Sequence, residues 1–159
     1  MAPARVSRLA LVGTAFPMRV SPALLDLAVN NPIAGIDMIN TLSHSMLAPP
    51  PSALGPGTWL YGSSRALMRR VQASNPRANL FLAGFKACDA YRNGAAAMQQ
   101  VACPTLFLLG RRDQMTLPKN AQPLIARARN AKVVLLEAGH QLMTEAPDAT
   151  LAALKEFLA

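Results

Sequence analysis

Apolar residues in this chain follow two rhythms. Residues 7–15, Ser-Arg-Leu-Ala-Leu-Val-Gly-Thr-Ala, form a short apolar run closed by glycine and threonine, which suits a strand covered on both faces, as in a parallel sheet. Pro104-Thr105-Leu106-Phe107-Leu108-Leu109-Gly110 is a second such run, and Lys132–Leu136 a third. The remaining apolar positions recur at helical spacing. Ser21-Pro22 and Asn31-Pro32 each place a capping side chain before a proline at the first helical position, where no intrahelical bond is lost. The helix from Pro32 would align Ile33, Ile36 and Ile39 on one stripe. Helices are also expected over 63–74, 76–91, 118–128 and 147–158, the last with Leu151, Leu154 and Phe157 on one stripe. Residues 49–57, Pro-Pro-Pro-Ser-Ala-Leu-Gly-Pro-Gly, predict a loop, and Asn93-Gly94 a helix stop.

From Cys103 onward the order is strand, helix, strand, helix, the alternation of a parallel α/β sheet. Residues 17–96 read as a helical insertion, not as part of that sheet. The first strand has its sheet neighbours far away in sequence, and its backbone groups need partners. There is no internal repeat.

Composition narrows the function. With 52% hydrophobic and 15% charged residues, the chain is globular rather than disordered. No apolar run approaches the roughly 20 residues that span a bilayer. Leu9–Phe16 follows Arg5 and Arg8, yet it is short and lacks an Ala-x-Ala cleavage site, so a buried strand explains it better than a secretion signal. The +8 net charge raises nucleic acid as a partner. However, the basic residues are scattered from Arg5 to Lys155, the tightest groups being Arg69–Arg70 and Arg111–Arg112, and no basic run is interleaved with aromatics. Neither nucleic acid nor a membrane is therefore expected as a partner. Cys88 and Cys103 suit neither a disulfide framework nor a metal site; as buried free thiols they fit a reducing cytoplasm.

Chemistry concentrates in two loops, Gly110–Thr116 and Glu137–Gln141, each following a strand. Ligands of open parallel sheets bind beyond the carboxyl ends of the strands. Asp113 and His140 leave consecutive strands at that edge. A carboxylate there can accept from one imidazole nitrogen and free the other as a general base. Either residue alone has a blander reading, a helix cap for the aspartate and a structural loop residue for the histidine.

The segments Cys103–Asp113, Ala131–His140, Glu145-Ala-Pro147 and Leu154–Leu158 together resemble the C-terminal end of α/β-hydrolases. By that resemblance Asp113 is the triad acid and His140 the triad base. Arg8–Ala15 resembles the strand after the nucleophile's strand and helix, and residues 17–96 the cap. Residues 1–16 and 97–159 are then a partial hydrolase core of about three parallel strands. The implied parent is a hydrolase of carboxylic esters or related acyl bonds, although lactone, C–C and perhydrolysis chemistry share the scaffold. No cofactor and no metal are implied.

The departure from the family lies in the nucleophile. Its Gly-x-Ser-x-Gly elbow is missing. Ser43-His44-Ser45-Met46-Leu47 comes nearest, but Ser43 and Leu47 replace both glycines, so Ser45 is not expected to be a nucleophile. His44 reads as a polar cap residue, with the substrate cavity as one place for it to face. Cys88 and Cys103 have no nearby histidine in sequence and read as core thiols. Met38, Met46, Trp59, Met68, Phe81 and Phe85 read as helix packing, with an apolar acyl pocket as the alternative. The chain is thus expected to carry an acid–base pair without its serine, the N-terminal half being absent. The competing reading is an inactive fragment that serves in association, possible partners being another copy or the missing half.

Overall fold

The computed structural model describes residues 5–46, 55 and 57–159. Three strands, β1 (Leu9–Val12), β2 (Thr105–Gly110) and β3 (Ala131–Leu136), form a parallel sheet in the order β1-β2-β3. Between β1 and β2 lie the helices α1 (Pro22–Asn30), α2 (Pro32–Ser43), α3 (Leu60–Ala73), α4 (Leu80–Ala90) and α5 (Gly94–Gln99). A 3-10 turn at Pro118–Ala121 and helix α6 (Gln122–Ile125) join β2 to β3, and α7 (Leu142–Glu145) and α8 (Pro147–Leu158) follow. The α/β class and the three parallel strands agree with the sequence pattern. Most of the expected 49–57 loop lies outside the described residues.

All six residues of the central strand β2 are buried. Register puts paired residues of parallel neighbours on the same face. Leu106 and Leu108 join Val134 and Leu136 against Ala153 and Phe157 of α8. On the opposite face Phe107 and Leu109 join Leu9 and Leu11 against Met98 of α5 and Leu124 of α6. The two covers are offset. Ala10 and Val12 of β1 stay exposed on the α8 face, and Val133 and Leu135 of β3 stay exposed on the other. The expected cover on both faces of the first strand is therefore not present among the described residues.

Helix starts follow the capping chemistry. Ser21 accepts from Leu24 N–H, and Asn31 from Ala34 N–H, each before its proline. Four expectations need correction. Ile33 is exposed, whereas Ile36 and Ile39 are buried. The contact face of α2 runs through Gly35, whose missing side chain lets Phe81 of α4 and the backbone of α1 approach. In α8 the buried stripe is Thr150, Ala153 and Phe157, and Leu151 faces outward. There the Thr150 hydroxyl donates to the Leu142 carbonyl and turns the small residues inward. The 76–91 helix starts later, at Leu80, because the Asn79 side chain caps it by accepting from Leu82 N–H. Finally, Asn93-Gly94 opens α5 instead of stopping α4. A Cβ on Gly94 would lie 2.6 Å from the Phe16 ring, so close packing selects that glycine.

Candidate active site

Because β2 and β3 are parallel neighbours, the loops after them emerge side by side. Arg111 N–H donates to Leu136 O and Arg112 N–H to Ala138 O, which ties the two loops together. Gly110 lies at the crossing, where an added Cβ would fall 2.2 Å from the Gly139 carbonyl oxygen. The chain then turns, with Asp113 N–H on Gly110 O, and delivers a fully buried Asp113 carboxylate.

That carboxylate is fully engaged. Oδ1 accepts from Met115 N–H and Thr116 N–H, both at 2.8 Å. Oδ2 lies 2.9 Å from His140 Nδ1 and 2.7 Å from Thr116 Oγ1. An ionised carboxylate can only accept, so Nδ1 carries the hydrogen and Nε2 keeps the lone pair in the neutral ring. Thr116 Oγ1 also sits 2.8 Å from Gly13 O and 3.1 Å from His140 Nδ1. Its single proton serves either Gly13 or Asp113, and its lone pairs face the imidazole. Burial pushes the Asp113 carboxyl up, but the hydrogen bonds from His140 and Thr116 and the charge of His140 outweigh it and hold the group below its ordinary value. A persistent anion there stabilises an imidazolium on His140.

The histidine is fixed from below as well. Gly13 adopts φ +56°, and a Cβ on it would meet Cε1 and Nδ1 of His140 at 3.3 Å. His140 N–H and Gln141 N–H both donate to Ser43 O, at 2.9 and 3.2 Å. The structure thus brings Asp113 and His140 within hydrogen-bonding distance and adds Thr116, Gly13 and Ser43. Of these, Thr116 had a sequence signal, since Asp-x-x-Thr after a strand is the spacing at which an aspartate caps its own turn. Gly13 and Ser43 meet the histidine only through tertiary packing.

Beside the ring lies a cleft of about 440 Å³, whose lining includes Met18, Arg19, Val20, Phe85, Cys88, Met115 and His140. Phe85, stacked edge-on against Phe81, is the one among the six apolar candidates of the helical region that lines it. Cys88 faces this cleft instead of a core, and both cysteines are free and half-buried, not fully buried. His44 is buried away from the cleft lining, its Nδ1 2.8 Å from Asn40 O and its ring edge-on to Tyr61. Ser45 donates both its N–H and its hydroxyl to Glu145. Among the described residues no group of three or more His, Cys, Asp or Glu is placed to hold a metal ion, and no helix is long and apolar enough to cross a membrane.

Comparison with known proteins agrees on the fold. Residues 57–149, more than half of the chain, match the family described as "Serine hydrolase (FSH1)". A thermophilic esterase superposes with TM-score 0.77 at 20% identity, over 99% of this chain and 57% of its own. The esterase of Exiguobacterium antarcticum gives 0.76 at 14% identity, over 96% of this chain and 57% of its own. A hydrolase from Pseudomonas aeruginosa PA01 gives 0.67 at 26% identity, over 99% and 57%. The chain therefore has a partial α/β-hydrolase fold and spans little more than half the length of these structures. No curated protein matches the sequence.

Proposed function

Since the chain belongs to the serine hydrolase (FSH1) family, we propose that it supplies the acid–base half of a hydrolase site for carboxylic esters or related acyl bonds. One observation carries this reading: the anionic, fully engaged Asp113 holds Nδ1 of His140 at 2.9 Å beside an apolar cleft. His140 Nε2 takes the proton of a seryl hydroxyl as that oxygen attacks the acyl carbon. Asp113 stabilises the imidazolium, and His140 then returns the proton to the leaving alkoxide. A water repeats the sequence to release the acid. The chemistry runs on side chains alone, without cofactor or metal.

In this reading the serine belongs to the part of the fold that the chain does not span. Its strand would pair with the open edge of β1, where Ala10 and Val12 are exposed. Residues 17–96 act as the cap, and Phe85 and Met18 receive the acyl chain. The two free thiols suit a cytoplasmic setting.

The test is a titration of the 159-residue chain with a short-chain acyl ester, followed by NMR on His140 and Phe85 and by product release. Saturable shifts at both residues without turnover are expected. The reading is overturned by the absence of saturable shifts there, or by turnover that survives His140→Ala. Any turnover by this chain alone would place a nucleophile within it and equally overturn the reading.

The same exposed strands favour a second reading, a non-catalytic module for association. Ala10 and Val12 at one end of the sheet, and Val133 and Leu135 at the other, offer apolar surface to another copy or to the remainder of the fold.

A further inference from the structure

Glu145 is the last residue of the short helix α7, five residues after His140. It is half-buried and has no cation partner among the described residues. Three neutral donors satisfy it instead. Oε2 accepts from Ser45 N–H at 2.8 Å and from the Ser45 hydroxyl, and Oε1 accepts from Gly139 N–H at 3.0 Å. The acid therefore bridges Ser45, two residues past α2, and the residue just before His140. We propose that Glu145 is a positioning residue that clamps the His140 loop onto the end of α2 and so sets the imidazole against Asp113.

The space around Gly139 supports this assignment. A Cβ there would fall 2.6 Å from Ser45 N, 2.7 Å from Glu145 Oε1 and 3.0 Å from Ser43 O. Loop, acid and helix end are in direct contact, with no room for a side chain between them. Ser43 O takes the next two N–H groups, of His140 and Gln141, so three consecutive loop amides are held by two adjoining anchors. Hydrogen bonds to an ionised acceptor are about twice as strong as neutral ones, and Glu145 contributes all of those on the Gly139 side. Freed from it, the loop need move only about 0.3 Å to carry His140 Nδ1 from 2.9 Å to the limit of about 3.2 Å above which its hydrogen bond to Asp113 fades. Because Ser43 ends α2 and Ser45 follows two residues later, any displacement of α2 is passed through the clamp to the histidine.

The inference rests on the reading of His140 as the base, so the measurement is made on the imidazole itself. The Nδ1–H resonance of His140 and its exchange with water are compared in wild type, Glu145→Ala, Glu145→Gln and Leu154→Ala. A glutamine replaces one acceptor oxygen with an NH2 that meets a donor head-on, so it should not rescue the clamp. Both Glu145 variants are expected to exchange about tenfold faster or to lose the signal, because the loop side loses its charge-assisted hydrogen bond from Gly139 N–H. Leu154→Ala removes packing under α8 and should leave the resonance in place, which separates positioning from general destabilisation. Wild-type exchange in Glu145→Ala would overturn the clamp and leave the Asp113–His140 pair standing. A missing Nδ1–H signal in the wild type would instead overturn the pair.

Discussion

Strand β2 buries every one of its residues, whereas α3 and α4 bury none completely. The two regions are held by different forces. Around β2 the glue is apolar area and backbone pairing on both sides, with Phe107, Leu106, Leu108 and Leu109 almost without exposure. At α3 it is largely polar: Arg65 and Arg69 share Asp37, and Asn40 donates to Tyr61 O. At α4, Asn79 donates to Ala28 O, and Asp89 accepts from Val20 N–H. Half-exposed ion pairs add little to stability, so local opening should begin in these helices. In the proposed site this places the acid and base on the rigid layer and one wall of the cleft, Phe85 and Cys88, on the softer one.

Three measurements test the difference between the two layers. The largest effect is expected from Phe107→Ala, which should lower unfolding free energy by about 3–5 kcal/mol in urea titration. Leu67→Ala on the exposed side of α3 should stay within about 0.5 kcal/mol. Equal losses at the two positions would mean that the helical layer shares the core's cooperativity.

Second in size is Asp113→Asn, with an expected cost of about 1–3 kcal/mol at neutral pH from lost charge-assisted hydrogen bonds. The sign with pH follows from the depressed carboxyl of Asp113. A group whose folded value lies below its unfolded value stabilises above the latter, about 3.9, and loses that contribution as pH falls through the folded value. Acid unfolding of the wild type should therefore steepen below pH 4, and Asp113→Asn should remove part of that slope. Asp37 is also depressed, chiefly by its hydrogen bond from Arg65, so Asp37→Asn should remove acid sensitivity that amide exchange localises to α2 and α3. An acid slope unchanged in both variants would contradict the assignment.

The smallest expected effect concerns association. Val12→Lys on the exposed face of β1 should weaken self-association about tenfold in sedimentation, the equivalent of one exposed valine no longer buried. Sedimentation of a monomer at every concentration, in wild type and variant alike, would remove support for the associating module.

Much of this architecture is legible in the sequence because it is written locally. The apolar runs of β2 and β3, Ser21 and Asn31 before their prolines, and Pro147 opening α8 each act through neighbouring backbone. Asp113 and His140 are legible for a related reason: each follows a strand, and parallel strands end at one edge. What fails in the sequence is orientation. Periodicity marks Ile33 and Leu151 as apolar without indicating that Gly35 and Thr150 face the interior, because that choice depends on what packs there.

Strands, helix caps and the two loops that carry an acid and an imidazole follow from residues a few positions apart, and so can be read along the chain. That Thr116 and Gly13 frame the imidazole, and that Phe85 and Cys88 wall the cleft, follows from packing. Packing also makes Glu145 join Ser45 to Gly139. Those contacts link residues up to 100 or more positions apart, and no local pattern records them. They exist because parallel pairing brings β1, β2 and β3 to one edge and the end of α2 packs across it, where each buried N–H and carboxylate must find a partner.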